Sequence, residues 1–165
     1  MDCGSRPAKA VAGETFEVSA TVFRDGHGII GVGAVLRDPD RRPGPVAPMR
    51  ELAPGTDRYG ADVTVTREGL WRFHVEAWAD PIASWRHDAA IKIPAGQDEE
   101  LMLTEGALLF ERAARRIPQP PGARAPAVAR TALRALVARL RDRSLLPYER
   151  FAGSEDPAVA AIVAR

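Results

Sequence analysis

The sequence predicts a mainly β fold with α structure, an antiparallel β-sandwich followed by a helical subdomain. Three observations carry that prediction. Residues 15–93 hold short alternations of apolar and polar side chains, broken at regular intervals by glycine, proline and aspartate. From residue 98 the apolar period changes from two to about 3.6 residues. A length of 165 residues, 45% hydrophobic and 27% charged, sits near globular averages and suffices for a real core.

The first strand places Phe16, Val18, Ala20 and Val22 on one face, with Glu17, Ser19 and Thr21 on the other. Val32, Ala34 and Leu36 continue in a second strand. Pro39 and the run Arg41-Arg42-Pro43-Gly44-Pro45 are expected to end it, because prolines remove amide donors and favour turns. Residues 49–52 are read as the next strand. After the turn signal Pro54-Gly55-Thr56-Asp57, the residues Tyr59, Ala61, Val63 and Val65 alternate with Asp62 and Thr64. Glu68-Gly69 turns the chain again, into a strand with Trp71, Phe73, Val75 and Ala77 on one face. Ile91 and Ile93 close the β region after an interruption at Asp80-Pro81. Six or so short strands at this spacing predict an immunoglobulin-like sandwich, with Trp71, Phe73, Val75, Phe16 and Val18 in its core.

In the second part Leu103, Ala107, Phe110, Ala114 and Ile117 form one helical stripe, with Glu111, Arg112 and Arg115 away from it. Residues 118–126, rich in proline and glycine, read as a linker. A second helix carries Ala129, Ala132, Leu133, Leu136, Val137 and Leu140 on its apolar face and Arg130, Arg134 and Arg141 on its other side. Asp156-Pro157 supplies an N-cap and a first-turn proline for a third helix. The domain expectation is a sandwich over residues 1–95 and a helical subdomain over 96–165. The abrupt opening and a helix without a stop signal at 158–165 lead us to expect a fold incomplete at both ends.

A net charge of +1 gives no bulk field to gather nucleic acid or an anionic membrane. Lys9 and Lys92 are the only lysines, so the positive charge is almost all arginine. The one cysteine, Cys3, has no internal disulfide partner, which suits a reducing compartment and a cytoplasmic location. Neither a signal peptide nor an apolar run of about 20 residues is present, so no membrane partner is expected.

Each motif that could carry chemistry has a plainer reading. GHGIIG, at 26–31, satisfies dinucleotide-binding spacing, yet residues 32–38 read as a strand rather than a phosphate-binding helix, and a hairpin loop is expected. Trp71, Trp78 and Trp85 could form a sugar platform, but residues seven apart on one strand point to opposite faces, so packing is expected for each. His27, His74 and His87 lie in separate segments without metal-ligand spacing. Asp98, Glu99 and Glu100 complement a helix dipole. The arginine stripe of the second helix reads as a solvated face. No Ser-His-Asp order or nucleophile elbow is supported, with Ser84 included, so no catalytic, cofactor-binding or metal residue is assigned and no cofactor is expected.

Two stretches suggest a family: DCGSRPAKAVAGETFEVSATVFRDGH at 2–27 and LWRFHVEAWADPIASWRHDAAIKIPAG at 70–96. With LRDP at 36–39 and MRELAPGTDRYGADV at 49–63, they resemble the N-terminal region of the bacterial α-1,4-glucan:maltose-1-phosphate maltosyltransferases, members of the α-amylase superfamily. The resemblance implies a sandwich with an inserted helical subdomain, from about residue 96, that contributes to a homodimer. It implies further that the catalytic carboxylates lie in a barrel domain of the same parent chain, outside these residues, and that contact with α-glucan is indirect. A sandwich lacking returning strands would expose edges and apolar surface, so self-association of the isolated chain is expected. Two other readings are a free-standing carbohydrate-binding module, motivated by the tryptophans, and a protein-interaction sandwich.

Overall fold

A computed structural model describes residues 7–118 and 124–163. Cys3 and parts of the expected linker and final helix lie outside the described residues. The chain forms two compact units that part between Ala79 and Asp80.

The first unit holds two three-stranded antiparallel sheets. One has the order β1 (Thr15–Thr21), β5 (Arg58–Thr64), β4 (Arg50–Glu51). The other has the order β3 (Pro43–Pro48), β2 (Ile30–Arg37), β6 (Arg72–Ala79). Val18 faces Ala61 and Phe16 faces Val63 across the β1–β5 pair, so the alternation read from the sequence puts one apolar row on the inner side. Val32 and Ala34 of β2 answer from the other sheet, and one cluster of Val18, Val32, Ala34, Met49, Ala61 and Val63 joins the two. The sandwich is therefore real, and its central strands are β5 and β2.

Three readings of this region need correction. The proline-rich run at 41–45 does not simply end the β structure: β3 starts at Pro43 and pairs with β2 in the register Ala34↔Ala47 and Val35↔Val46. Proline is tolerated there because β3 lies at the sheet edge, where one side of the strand needs no donors. The turn before it falls where Pro39 suggests. Arg41 adopts φ 65°, its N–H donates to the Asp38 carbonyl at 2.8 Å, and the Asp38 carboxylate accepts from the Arg42 N–H at 2.8 Å. The strand expected at 49–52 shrinks to Arg50–Glu51 and belongs to the opposite sheet, with buried Met49 at the crossing and its N–H on the Val32 carbonyl. Lastly, Phe73 lies on the inner face opposite Leu36 but is 56% exposed, because β6 is an edge strand whose inner face is open there. Trp71 precedes β6, half-buried outside both core clusters, with its indole N–H on the Arg67 carbonyl at 2.9 Å.

The second unit is helical from Pro81, not from residue 96. Its elements are α1 (Pro81–Lys92), α2 (Glu99–Arg116), α3 (Arg124–Arg141), α4 (Pro147–Ala152), a 3₁₀ turn at Gly153–Glu155, and α5 (Pro157–Val163). Asp80 begins α1: its carboxylate accepts from the Ala83 N–H at 2.8 Å, and Pro81 comes next as the first helical residue. Ile91 and Ile93, expected in a strand, therefore sit on a helix and its cap, with Ile91 exposed and Ile93 buried. The buried row on this element is Trp85, Ala89 and Ile93, spaced by four. Asp156 caps α5 as expected, accepting from the Ala158 N–H at 2.7 Å.

The long helices run antiparallel, since Glu111 of α2 meets Arg141 near the end of α3 while Pro118 meets Arg130 near its start. Their facing stripes are the ones read from the sequence. Leu103, Ala107, Phe110 and Ala114 pack against Leu133, Leu136, Val137 and Leu140. Trp85 supplies the centre of this core. Its ring meets Phe110 and Phe151 edge-on, at 5.6 and 5.8 Å, and its N–H donates to the Met102 carbonyl at 2.6 Å. The close approach to α2 requires Gly106, where an added Cβ would lie 2.1 Å from the indole.

Candidate functional site

No catalytic residue is expected from the sequence, so a site has to be sought among the polar and aromatic clusters that the fold assembles. Three stand out.

The first lies on the outer face of the sheet β3-β2-β6. Gly31 and Gly33 of β2 occupy outward positions, opposite Trp78 and Glu76 of β6. Without side chains there, the Trp78 indole settles onto β2: a Cβ on Gly31 would fall 2.4 Å from the ring, and one on Gly33 only 3.4 Å. Trp78 nonetheless remains 46% exposed. Beside it on β6, His74 Nε2 stands 2.8 Å from Glu76 Oε1, a carboxylate contact at i,i+2 that the sequence pattern does not signal. An open indole next to an imidazole–carboxylate pair can stack on a flat apolar ring face and hydrogen-bond its rim. The glycines at 31 and 33 are the legible signal, since alternate glycines in a strand mark a close approach.

The second cluster clasps three helices. Arg150 of α4 is 3% exposed. Its Nε and Nη2 donate to the Leu140 carbonyl at 2.9 and 2.6 Å, at the C-terminal end of α3, and its guanidinium pairs with Glu100 in the first turn of α2. Arg143 adds a longer contact to Glu100 at 3.6 Å. Glu100 therefore does more than complement a helix dipole. The Arg150 hydrogen bond holds its carboxyl below the ordinary value. Nearby, Arg86 lies over the Phe110 ring at 5.7 Å and donates to the Ser154 carbonyl, and burial lowers its pKa from the usual value. These are architectural contacts.

The third cluster braces the β2–β3 turn. Arg67 reaches Asp38 at 3.0 Å and Asp40 at 2.6 Å, and the Asp38 carboxyl is held low first by the Arg42 backbone N–H and then by Arg67. Arg67 and Asp40 are open to solvent and Asp38 is half-buried, so the cluster orders a loop rather than forming an enclosed site.

The remaining sequence candidates do not converge. GHGIIG is a loop running into β2, and it joins the two sheets instead of closing a hairpin within one. A strand comes after the glycines, not a helix, so the phosphate-binding context is missing. His27 and His87 are exposed in different units. Ser84 donates its hydroxyl proton to the Asp80 carbonyl at 2.8 Å. Trp71, Trp78 and Trp85 occupy a loop, a sheet face and a helical core, and form no common platform. Among the described residues no group of three His, Cys, Asp or Glu side chains could hold a metal ion, and no helix is long and apolar enough to cross a membrane.

Comparison with known proteins fits this architecture. The family model for α-1,4-glucan:maltose-1-phosphate maltosyltransferase, domain N/S, matches residues 1–165. α-1,4-Glucan:maltose-1-phosphate maltosyltransferase 1 of Streptomyces coelicolor is 56% identical over 98% of this chain and 23% of its own length. Maltosyltransferase 2 of the same organism is 51% identical over 100% of this chain and 24% of its own. The Mycobacterium tuberculosis (strain H37Rv) maltosyltransferase is 37% identical over 80% of this chain and 22% of its own. The chain thus spans about a quarter of the length of these relatives. The chain belongs to the domain N/S family of the α-1,4-glucan:maltose-1-phosphate maltosyltransferases, as an N-terminal region of such an enzyme.

Proposed function

We propose that this chain is the non-catalytic accessory and dimerisation region of a cytoplasmic maltosyltransferase, which moves maltosyl units from maltose 1-phosphate to α-1,4-glucans. The observation that carries this reading is coverage: the whole chain matches domain N/S, while about three quarters of each relative's length lies outside the match. The barrel that performs the transfer belongs to that remainder, and α-glucan is an indirect partner. In this reading the first unit is an immunoglobulin-like sandwich and the helical unit is an insertion in it. The open inner face of β6 around Phe73 supports a packing role, because a half-exposed aromatic on an edge strand gains by being covered.

Deleting this region from a full-length parent tests the proposal. The expected result is loss of the dimer by light scattering together with loss of maltosyl transfer. A deleted parent that stays dimeric and transfers at the undiminished rate would overturn it.

A carbohydrate-binding module is a second reading, favoured by one observation, the open Trp78 indole beside His74 and Glu76. It predicts that maltooligosaccharides at about millimolar concentration shift the tryptophan fluorescence, and that Trp78→Ala abolishes the shift. An unchanged emission would exclude it.

A further inference from the structure

We propose that the groove between α2 and α3 binds a small phosphate-bearing anion, free phosphate or a phosphate ester. The groove encloses about 280 Å³ and is lined by Glu111, Ala114, Arg115, Arg130, Arg134 and Val137. Small-molecule sites typically run from roughly 300 to 1,000 Å³, so this one suits a compact ligand and not a polymer.

Its charge balance points to an anion. Arg115 and Arg141 both lean on the single carboxylate of Glu111, at 3.4 and 3.2 Å. Arg134 has no ion pair among the described residues, and α3 carries five arginines and no acidic residue. Arg130 is held in place by a hydrogen bond from Nη2 to the Pro118 carbonyl at 3.2 Å, while its Nε is buried without an acceptor among the described residues. A buried donor left without an acceptor is a rarity that an occupying ligand relieves.

Helix electrostatics do not explain this arrangement. The C-terminal end of a helix favours cations, which accounts for Arg115 and Arg116 on α2. Arg130 and Arg134 instead sit in the interior of α3 and repel each other at i,i+4. Guanidinium forks at Arg115, Arg130 and Arg134 match the oxygens of a phosphate group, whose charge compensates the excess.

Isothermal titration calorimetry with the 165-residue chain tests the proposal. Inorganic phosphate and glucose 6-phosphate serve as separate probes, at ionic strength held constant with chloride. We expect saturable binding of at least one probe, weakened about tenfold by Arg130→Gln and by Arg134→Gln, and unchanged by Arg143→Gln, which removes an exposed arginine elsewhere. Tighter binding of the ester than of phosphate identifies an esterified ligand, and the reverse identifies free phosphate. Circular dichroism melts of each variant establish that folding is retained. No saturable heat with either probe up to about 10 mM, or binding undiminished in the folded Arg130→Gln/Arg134→Gln double variant, overturns the proposal.

Discussion

Replacing Arg150 with methionine removes the clasp that joins α2, α3 and α4 while retaining an apolar stem of similar length. The Leu140 carbonyl, at the buried end of the contact, loses two donors from a charged group, at 2.9 and 2.6 Å. Hydrogen bonds to charged groups contribute about 1.5–3 kcal/mol each, and two donors sharing one acceptor count as little more than one bond. Glu100 suffers less, because it is exposed and retains Arg143 at 3.6 Å, so its share stays on the surface-pair scale of about 0.5–1 kcal/mol. Together these losses come to about 2–4 kcal/mol for Arg150→Met. At about 4–8 °C per kcal/mol for a unit of this size, the midpoint of the helical circular dichroism signal should fall by about 8–32 °C. Glu100→Gln, which spares the Leu140 contact, should cost only about 0.5–1 kcal/mol. Two outcomes would refute the reasoning. An Arg150→Met variant within about 0.5 kcal/mol of the native chain would mean that the buried guanidinium adds nothing over a methionine, as happens in some buried ion pairs. A Glu100→Gln variant as damaging as Arg150→Met would place the energy on the wrong side of the contact.

Gly106→Ala should destabilise the helical unit by about 1–3 kcal/mol, although alanine is favoured over glycine in a helix by about 1 kcal/mol, because the new methyl would meet Trp85 at 2.1 Å. That indole is held by Phe110, Phe151 and the Met102 carbonyl and has nowhere to move, so a rise in thermal midpoint would contradict the packing described. Glu100 and Asp142 both have carboxyls held below their ordinary values of 4.5 and 3.8, the first by Arg150 and the second by Ser144. A depressed carboxyl stabilises the fold above its ordinary value, and that contribution disappears as the pH falls through the lowered one. The urea midpoint of the helical signal should therefore drop as the pH falls below the ordinary carboxyl values of 4.5 and 3.8, with a smaller drop in Glu100→Gln; a flat profile would show that these pairs do not persist in solution.

Much of the fold is legible wherever burial imposes a single period. The rows on β1 and β5 alternate because each strand turns mainly one face to the core, α2 and α3 bury one stripe each against the other, and β2, buried from Val32 to Val35, shows as an apolar run. What escapes has specific physical causes. Ile91 and Ile93 imitate a strand at i,i+2, while the true buried row, Trp85, Ala89 and Ile93, uses a spacing of four. Asp80-Pro81 gives the same start signal as Asp156-Pro157, which does open a helix, but the strand pattern before Asp80 makes it look like an interruption. β3 is hidden because proline argues against a strand unless its edge position is known, and that is a tertiary fact. α4 spans six residues, too short for a periodic signal. Among the candidate sites, Trp78 is visible as a residue, but its seat on Gly31 and Gly33 depends on strand register. Arg150 cannot be told from the other arginines, because nothing local distinguishes a buried guanidinium from a solvated one.

The edge strand β3 also gives its sheet a direction. Pro43, Pro45 and Pro48 leave half of its six residues without an amide proton, so an incoming strand would find few donors along that border. At the opposite border, β6 has eight residues and no proline. Recruitment of a further strand, whether from the same polypeptide or from another, is thereby steered to one side. The sheet behaves as a ladder with one rail half stripped of its rungs, and it lengthens more readily beyond β6.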